Sequence, residues 1–277
     1  MTQEIYFHFA ISLLITYIIA RLILTSILRL ITEAGYVRPN FRGDQIPVGV
    51  GLLFFLSALI PTGVLIFLDE DTYQLGGLLY LFVLGSMTLL GMTDDIFGSR
   101  ADSGLKGHLK KMLRGELTTG GLKLVTGGIM SLVVAVNISN HWLEVITNTL
   151  VIALSVNAIN LLDLRPGRAG KGYLLAVGML LLASWPANHL VWGVITAGAL
   201  LAYLPSDLKA RAMMGDTGSN ALGASIGITS VLVLPENLKI GYLLFLIAFH
   251  IFTEKYSLTK VIERNKMLNF LDQLGRN

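Results

Sequence analysis

The chain has 277 residues, of which 53% are hydrophobic and 14% charged, against roughly a quarter charged in an ordinary soluble domain. That apolar excess excludes a typical soluble protein, and the absence of cysteine excludes disulfides and thiolate metal sites. The formal charge of +3 gives no reason to expect nucleic acid as a partner, because in a membrane protein the placement of basic residues matters more than their total.

A hydrocarbon core of about 30 Å takes roughly 20 apolar residues in helical form. Uncharged or nearly uncharged stretches of that order fall at about 5–31, 48–68, 75–93, 121–138, 145–162, 173–187, 189–205, 218–234 and 238–252. They predict an all-α, polytopic membrane protein of about nine transmembrane helices, built as one integral-membrane domain over 1–277. The first stretch is too long for a signal peptide and lacks a small-residue cleavage site, so it reads as a retained span.

With the N-terminus outside, nearly every Lys and Arg falls in a cytoplasmic loop, Lys239 falls outside and Arg21 lies within a span. The loop Asp69-Glu70-Asp71 then faces outward, as the positive-inside rule expects. Trp142, Trp185 and Trp192 fall near outer helix ends, where amphipathic rings favour the headgroup level. After His250 the apolar residues Ile262, Leu268, Leu271 and Leu274 recur among charges, which predicts an amphipathic cytoplasmic tail along the inner membrane surface. Glycine pairs and the run from Gly218 to Gly227 predict close helix packing.

Polar residues at the ends of spans cost free energy to bury and invite a functional reading. In GMTDDIFGS, Asp94 and Asp95 close the third span. Adjacent carboxylates repel unless a cation or proton relieves them, so the pair suits a magnesium site or a general base, although a solvated helix end has the same look. In SVNAINLLDLRPGR, Asn157, Asn160 and Asp163 are three residues apart and so neighbours along one side of a helix. They supply oxygen ligands, and Arg165 and Arg168 follow as phosphate-pairing cations. Interhelical hydrogen bonding is the competing role for the asparagines.

MMGDTGSNALGASIG opens the eighth span. Asp216 or Thr217 could simply cap the helix, or free amides and Gly215 could approach phosphate while Asp216 holds a metal. FRGDQIPVGVG, containing Arg42, leads into the second span, with Pro47 suited to its first turn. Between the third and fourth spans lies a basic loop with Lys106, Lys110, Lys111 and Arg114, followed by Lys123. Such residues attract anionic lipid or a nucleotide diphosphate, or serve topology alone. All these motifs fall on one membrane face, where carboxylates, amides and cations beside lipid describe a site for phosphate, magnesium and a lipid-borne partner.

The motifs IPVGVG, TDDIFG, NAINLLD and GDTGSNALGA, in this order, resemble those of the polyprenyl-phosphate N-acetylhexosamine-1-phosphate transferase superfamily, glycosyltransferase family 4. The resemblance implies a transferase in a bacterial cytoplasmic membrane that moves a sugar-1-phosphate from a UDP-amino sugar to polyprenyl phosphate, releasing UMP. It implies Mg2+ held by Asn160 and Asp216, with catalytic roles for Asp94, Asp95 and Asp163. It further implies substrate contacts from Arg42, Lys106, Lys123, Asn157, Arg165, Arg168 and Gly215, and a homodimer is left open. Two departures stand out: Pro166 replaces the second polar residue of the DGxDG-type continuation, and EKYSLTKVIERNK stands where a histidine-rich motif is usual. They support an alternative, a catalytically silent relative that binds a lipid-linked precursor or a wall-synthesis partner. A solute transporter is a weaker third reading, because the polar residues sit at helix ends and not at the midplane.

Overall fold

The computed structural model describes residues 2–98 and 118–276. Within them every predicted apolar stretch is a helix: α1 (Thr2–Glu33), α2 (Leu52–Leu68), α3 (Glu70–Phe97), α4 (Thr119–Ile138), α5 (Trp142–Leu162), α6 (Arg168–Ser184), α7 (Val191–Leu208), α8 (Gly215–Val233) and α9 (Glu236–Lys255). Two short helices follow, α10 (Leu258–Arg264) and α11 (Lys266–Gln273). Local chemistry sets several starts. Asp69 accepts the Thr72 amide to begin α3, Thr118 accepts that of Gly121 to begin α4, and His141 accepts that of Glu144 to begin α5, each satisfying a first-turn donor that has no intrahelical partner.

Six of the described helices are long and apolar enough to cross a membrane: α1, α3, α4, α5, α7 with the turn before it, and α9. The chain is a multi-pass membrane protein. Of the remaining three long helices, α2 is apolar but has only 17 residues. Helix α8 falls short for a different reason. Its residues 217–231 are all buried, so neighbouring helices screen it from lipid and it can carry Ser219, Asn220, Ser225, Thr229 and Ser230 inside the bundle. Gly223 and Gly227, one turn apart, bring α8 against the α5 backbone at Val156 and Ile152, the small-residue spacing that lets membrane helices touch. Gly91 does the same for α3, where a Cβ would collide with the Asp216 backbone.

Three expectations are corrected. The all-α class omits a short antiparallel hairpin, β1 (Val37–Pro39) with β2 (Gln45–Pro47), in register Arg38 with Ile46. Pro47 closes β2 and does not start a helix; the Met213 amide donates to its carbonyl at 2.8 Å. Val50 and Gly51 donate in turn to Met213 and Met214, so 47–51 is pinned against the segment before α8, turns at Gly49 (φ +82°), and α2 begins only at Leu52. Trp192 does not face the headgroups: it is fully buried in the bundle and stacks on Tyr80 with centroids 5.2 Å apart.

Candidate active site

The C-terminal end of α3 meets the N-terminal end of α8, and the two aspartates there do different things. The Asp95 carboxylate accepts the Asp216 amide (2.9 Å), the Thr217 amide (2.9 Å) and the Thr217 hydroxyl (2.6 Å). A carboxylate from another helix thus satisfies first-turn donors of α8 and lies at the positive end of its dipole. The phosphate cradle expected at this helix end is filled by protein. Gly215, expected to face substrate, has φ +69° and abuts the Asp95 carboxylate so closely that a Cβ would collide with it.

Asp216, one residue on, turns the other way. Its Oδ2 accepts Lys123 Nζ of α4 at 2.7 Å and Asn160 Nδ2 of α5 at 3.1 Å. Asp94 lies within hydrogen-bonding reach of Asp216 and the Thr119 hydroxyl, with Lys123 at 3.9 Å from its Oδ2. Helices α3, α4, α5 and α8 therefore converge on one pair of carboxylates. That pair remains reachable from outside, the Asp216 side chain being 30% exposed and that of Asp94 23%.

Asp163 caps the end of α5. Burial raises its carboxyl well above the usual carboxylate range, and the neighbouring charges of Asp207, Asp216 and Asp95 push the same way. Asp207, near the end of α7, did not stand out in the sequence. It is buried and accepts the Gly167 amide at 2.9 Å, holding the loop that follows Asp163. The signal was available, since Asp207 is an acid at a span end on the same face as the others.

Five carboxylates thus share one region, and among the described residues Lys123 is the cation within ion-pair distance of the Asp94–Asp216 pair. Two like charges about 4 Å apart repel by roughly 4 kcal/mol at an effective dielectric near 20, so the region favours added positive charge. Among the described residues no three histidine, cysteine, aspartate or glutamate side chains gather into a metal cage. Asp94, Asp216 and the Asn160 carbonyl oxygen are hard donors of the number magnesium takes when substrate phosphates and water complete its shell. Beside them, Asn220 Nδ2 and Ser219 Oγ are buried without a hydrogen-bond partner, a rare condition in proteins that fits a polar group or water arriving there.

Of the other expected contacts, Arg42, Arg165 and Arg168 line one cavity together with Pro166 and Asp272. Asn157, one turn before Asn160 on α5, is exposed. Arg165 is exposed in the loop after α5, and Arg42 stacks over Phe41 at 5.1 Å in the hairpin turn. Arg168, expected to pair with phosphate, is instead committed to Asp272 through two bonds of 2.8 and 3.0 Å. Lys106 and the basic residues around it lie outside the described residues.

A helical membrane protein whose spans bring carboxylates, amides and a lysine to one end of the bundle is the class this geometry defines. Residues 77–234, more than half of the chain, match the family described as Glycosyl transferase family 4, and the chain belongs to that family. It is 29% identical over 211 residues to the phospho-N-acetylmuramoyl-pentapeptide-transferase of Clostridium kluyveri, covering 68% of this chain and 62% of that protein. It is 28% identical over 205 residues to the protein of the same name from Halalkalibacterium halodurans, covering 70% and 63%. The chain therefore spans about three-fifths of the length of the curated relatives it matches.

Proposed function

We propose that the chain transfers a sugar-1-phosphate from a UDP-linked amino sugar to a polyprenyl phosphate, with Mg2+, on the cytoplasmic face of a bacterial membrane. The observation that carries the reading is the meeting of Asp94, Asp216, Asn160 and Lys123 at one end of the bundle, in a family of glycosyl transferases. Four helices, α3, α4, α5 and α8, supply these residues, and a lipid acceptor presented from the bilayer would reach them without leaving the membrane.

An oxygen of the lipid phosphate attacks the sugar-linked phosphorus in line. The phosphoanhydride bond breaks, its electron pair leaves with UMP, and a lipid diphosphate sugar forms. In such displacements positioning and charge stabilisation supply most of the catalysis. Asp216, Asp94 and Asn160 would hold Mg2+, which neutralises diphosphate charge when bound. Lys123, resting on Asp216 in the protein alone, is placed to turn toward an incoming phosphate oxygen. Asp95 acts by holding α8 in place, so of the adjacent pair Asp94 is the residue left to face substrate.

Purified protein given Mg2+, polyprenyl phosphate and a panel of UDP-sugars should release UMP. No release with any donor, together with retained binding of the lipid, would replace this reading with the silent one, which draws on the commitment of Arg168 to Asp272.

A further inference from the structure

The tail is one of the two departures from the family pattern, and it is tied to residues 166–171 by a cluster centred on one carboxylate. Asp272 on α11 accepts Arg168 Nε and Nη2 at 2.8 and 3.0 Å and Arg276 Nη2 and Nη1 at 2.8 and 2.9 Å. Arg168 spends its remaining nitrogen on the Thr259 hydroxyl (3.0 Å). Lys171 donates to the carbonyls of Leu271 and Asp272 (3.0 and 2.7 Å), capping the end of α11, and Arg276 Nε donates to the Pro166 carbonyl (2.6 Å). All three cations thus join the tail to residues 166–171.

The arrangement is closed and directional. Arg168 and Asp272 are 5% and 9% exposed, and a buried pair of this kind is favourable only when its geometry is good and every remaining donor is satisfied. The planar fork of each guanidinium fixes orientation as well as distance. From the other side, Asp207 holds the Gly167 amide at 2.9 Å, and Gly167 has φ +73°, a conformation suited to glycine. The short loop between Asp163 and Arg168 is therefore gripped at both faces, and the grip begins three residues after the Asp163 carboxylate. On α11 the apolar side chains Met267, Phe270, Leu271 and Leu274 face outward, being 48% to 66% exposed; the polar face, not the apolar one, docks on the protein.

We infer that Asp272 is a positioning residue: it clasps Arg168 while Asp207 holds Gly167, and so fixes the 163–168 loop and its Asp163 carboxylate beside the Asp94–Asp216 pair. The inference rests on the transferase reading above. The loop occupies the place of the departed DGxDG continuation, where Pro166 offers only its carbonyl, and that carbonyl is taken by Arg276. The tail thus supplies by clasping what the loop no longer supplies by its own polar side chains.

The test is steady-state transfer by the full chain in detergent or bilayer, with hydrogen exchange over 163–171 as a readout independent of activity. Asp272→Asn should raise the KM for the nucleotide sugar about tenfold, the scale on which residues supporting a site act. The KM for polyprenyl phosphate should stay unchanged, and exchange in the loop should rise. Asp272→Glu should restore both. Arg276→Gln, which leaves the Arg168 pair intact, should give a smaller change of the same kind and keeps the test alive if Asp272→Asn fails to fold. Unchanged donor KM in these variants, or equal losses in kcat and in both KM values, would overturn the positioning role. A wild-type protein inactive with every donor removes the transfer reading and this role together, whereas an active wild type beside an indifferent Asp272→Asn removes the clasp alone.

Discussion

The two ends of α5 carry polar clusters of opposite character. In its first turn, Glu144 accepts Lys239 Nζ of α9 at 3.1 Å and the Asn140 amide at 2.9 Å, a closed account of one acid and one base. Sixteen residues on, about 24 Å along the helix, Asn160 and Asp163 join a region that also holds Asp94, Asp95, Asp207 and Asp216, where among the described residues Lys123 is the cation within ion-pair distance of the Asp94–Asp216 pair. A bundle that needed only to stand in lipid could close both ends alike. The imbalance at one end costs stability and is the reason for placing the chemistry there.

Neutralising the acid at the centre of that imbalance should have the largest effect. Asp216→Asn keeps the shape and the amide that donates to Asp95, yet removes the negative charge on which Lys123 and Asn160 converge. UMP release should fall about a thousandfold or more, the scale seen when a single preorganised electrostatic contact is lost, while the protein still purifies as a folded monodisperse species. Activity within a few-fold of wild type would remove Asp216 from the site. Lys123→Gln comes next and sharpens the comparison, because two opposite changes are expected of it. Turnover should drop about ten- to a hundredfold for want of a phosphate partner, but Mn2+ binding to the protein alone, read by electron paramagnetic resonance, should tighten as Asp216 loses its competitor. Weaker Mn2+ binding would show that the lysine organises the cluster and does not compete with the cation.

How much of this was legible from the chain follows from what lipid does to polar residues. Asp94, Asp95, Asn160 and Asp216 stand out because few charges interrupt the apolar stretches, and topology alone gathers them on one face. The division of labour between Asp94 and Asp95 was not legible: neighbours on a helix point about 100° apart, and only the position of α8 decides which one meets amides and which meets Asp216. The extended entry to α2 was not legible because the backbone of 47–51 bonds to 213–214, a partner about 165 residues away whose register no local pattern carries. Arg168 looked like a phosphate ligand for the same reason, its true partner lying 104 residues downstream. Trp192 read as a headgroup anchor by its place near a helix end, but Tyr80, Tyr73 and His189 enclose it.

Asp163 tests whether the crowding of carboxylates is a cost borne for function. Its folded pKa lies above the unfolded value, first through burial and then through Asp207, Asp216 and Asp95. The folded state therefore binds its proton more tightly than the unfolded state does. Stability should be highest below the ordinary carboxylate pKa and should decline as pH rises from there to the raised folded value. Without a divalent cation, Asp163→Asn should flatten that decline and melt above wild type at neutral pH. Transfer should nevertheless be slower, by about tenfold, if the carboxylate serves the site, the trade in which function keeps a destabilising group. A variant with the wild-type pH profile of melting would show that Asp163 does not bear the repulsion assigned to it.

The smallest effect belongs to the closed end. Lys239 is 4% exposed, so Lys239→Met strands Glu144 beside an apolar neighbour and should cost about 1–3 kcal/mol, with a lower melting temperature in detergent. Glu144→Gln alone should cost similarly by leaving the lysine buried without its counter-charge. The double variant removes both desolvated charges at once and should recover most of the loss, since replacing a buried pair whole is often neutral. Throughout this series the donor and acceptor KM values should stay at wild type, because a pair about 24 Å from the transfer site shares neither a helix end nor a charge with it. A double variant as unstable as the worse single would mean that the pair is held by surrounding packing and not by mutual compensation, and a shift in donor KM would mean that α5 couples its two ends.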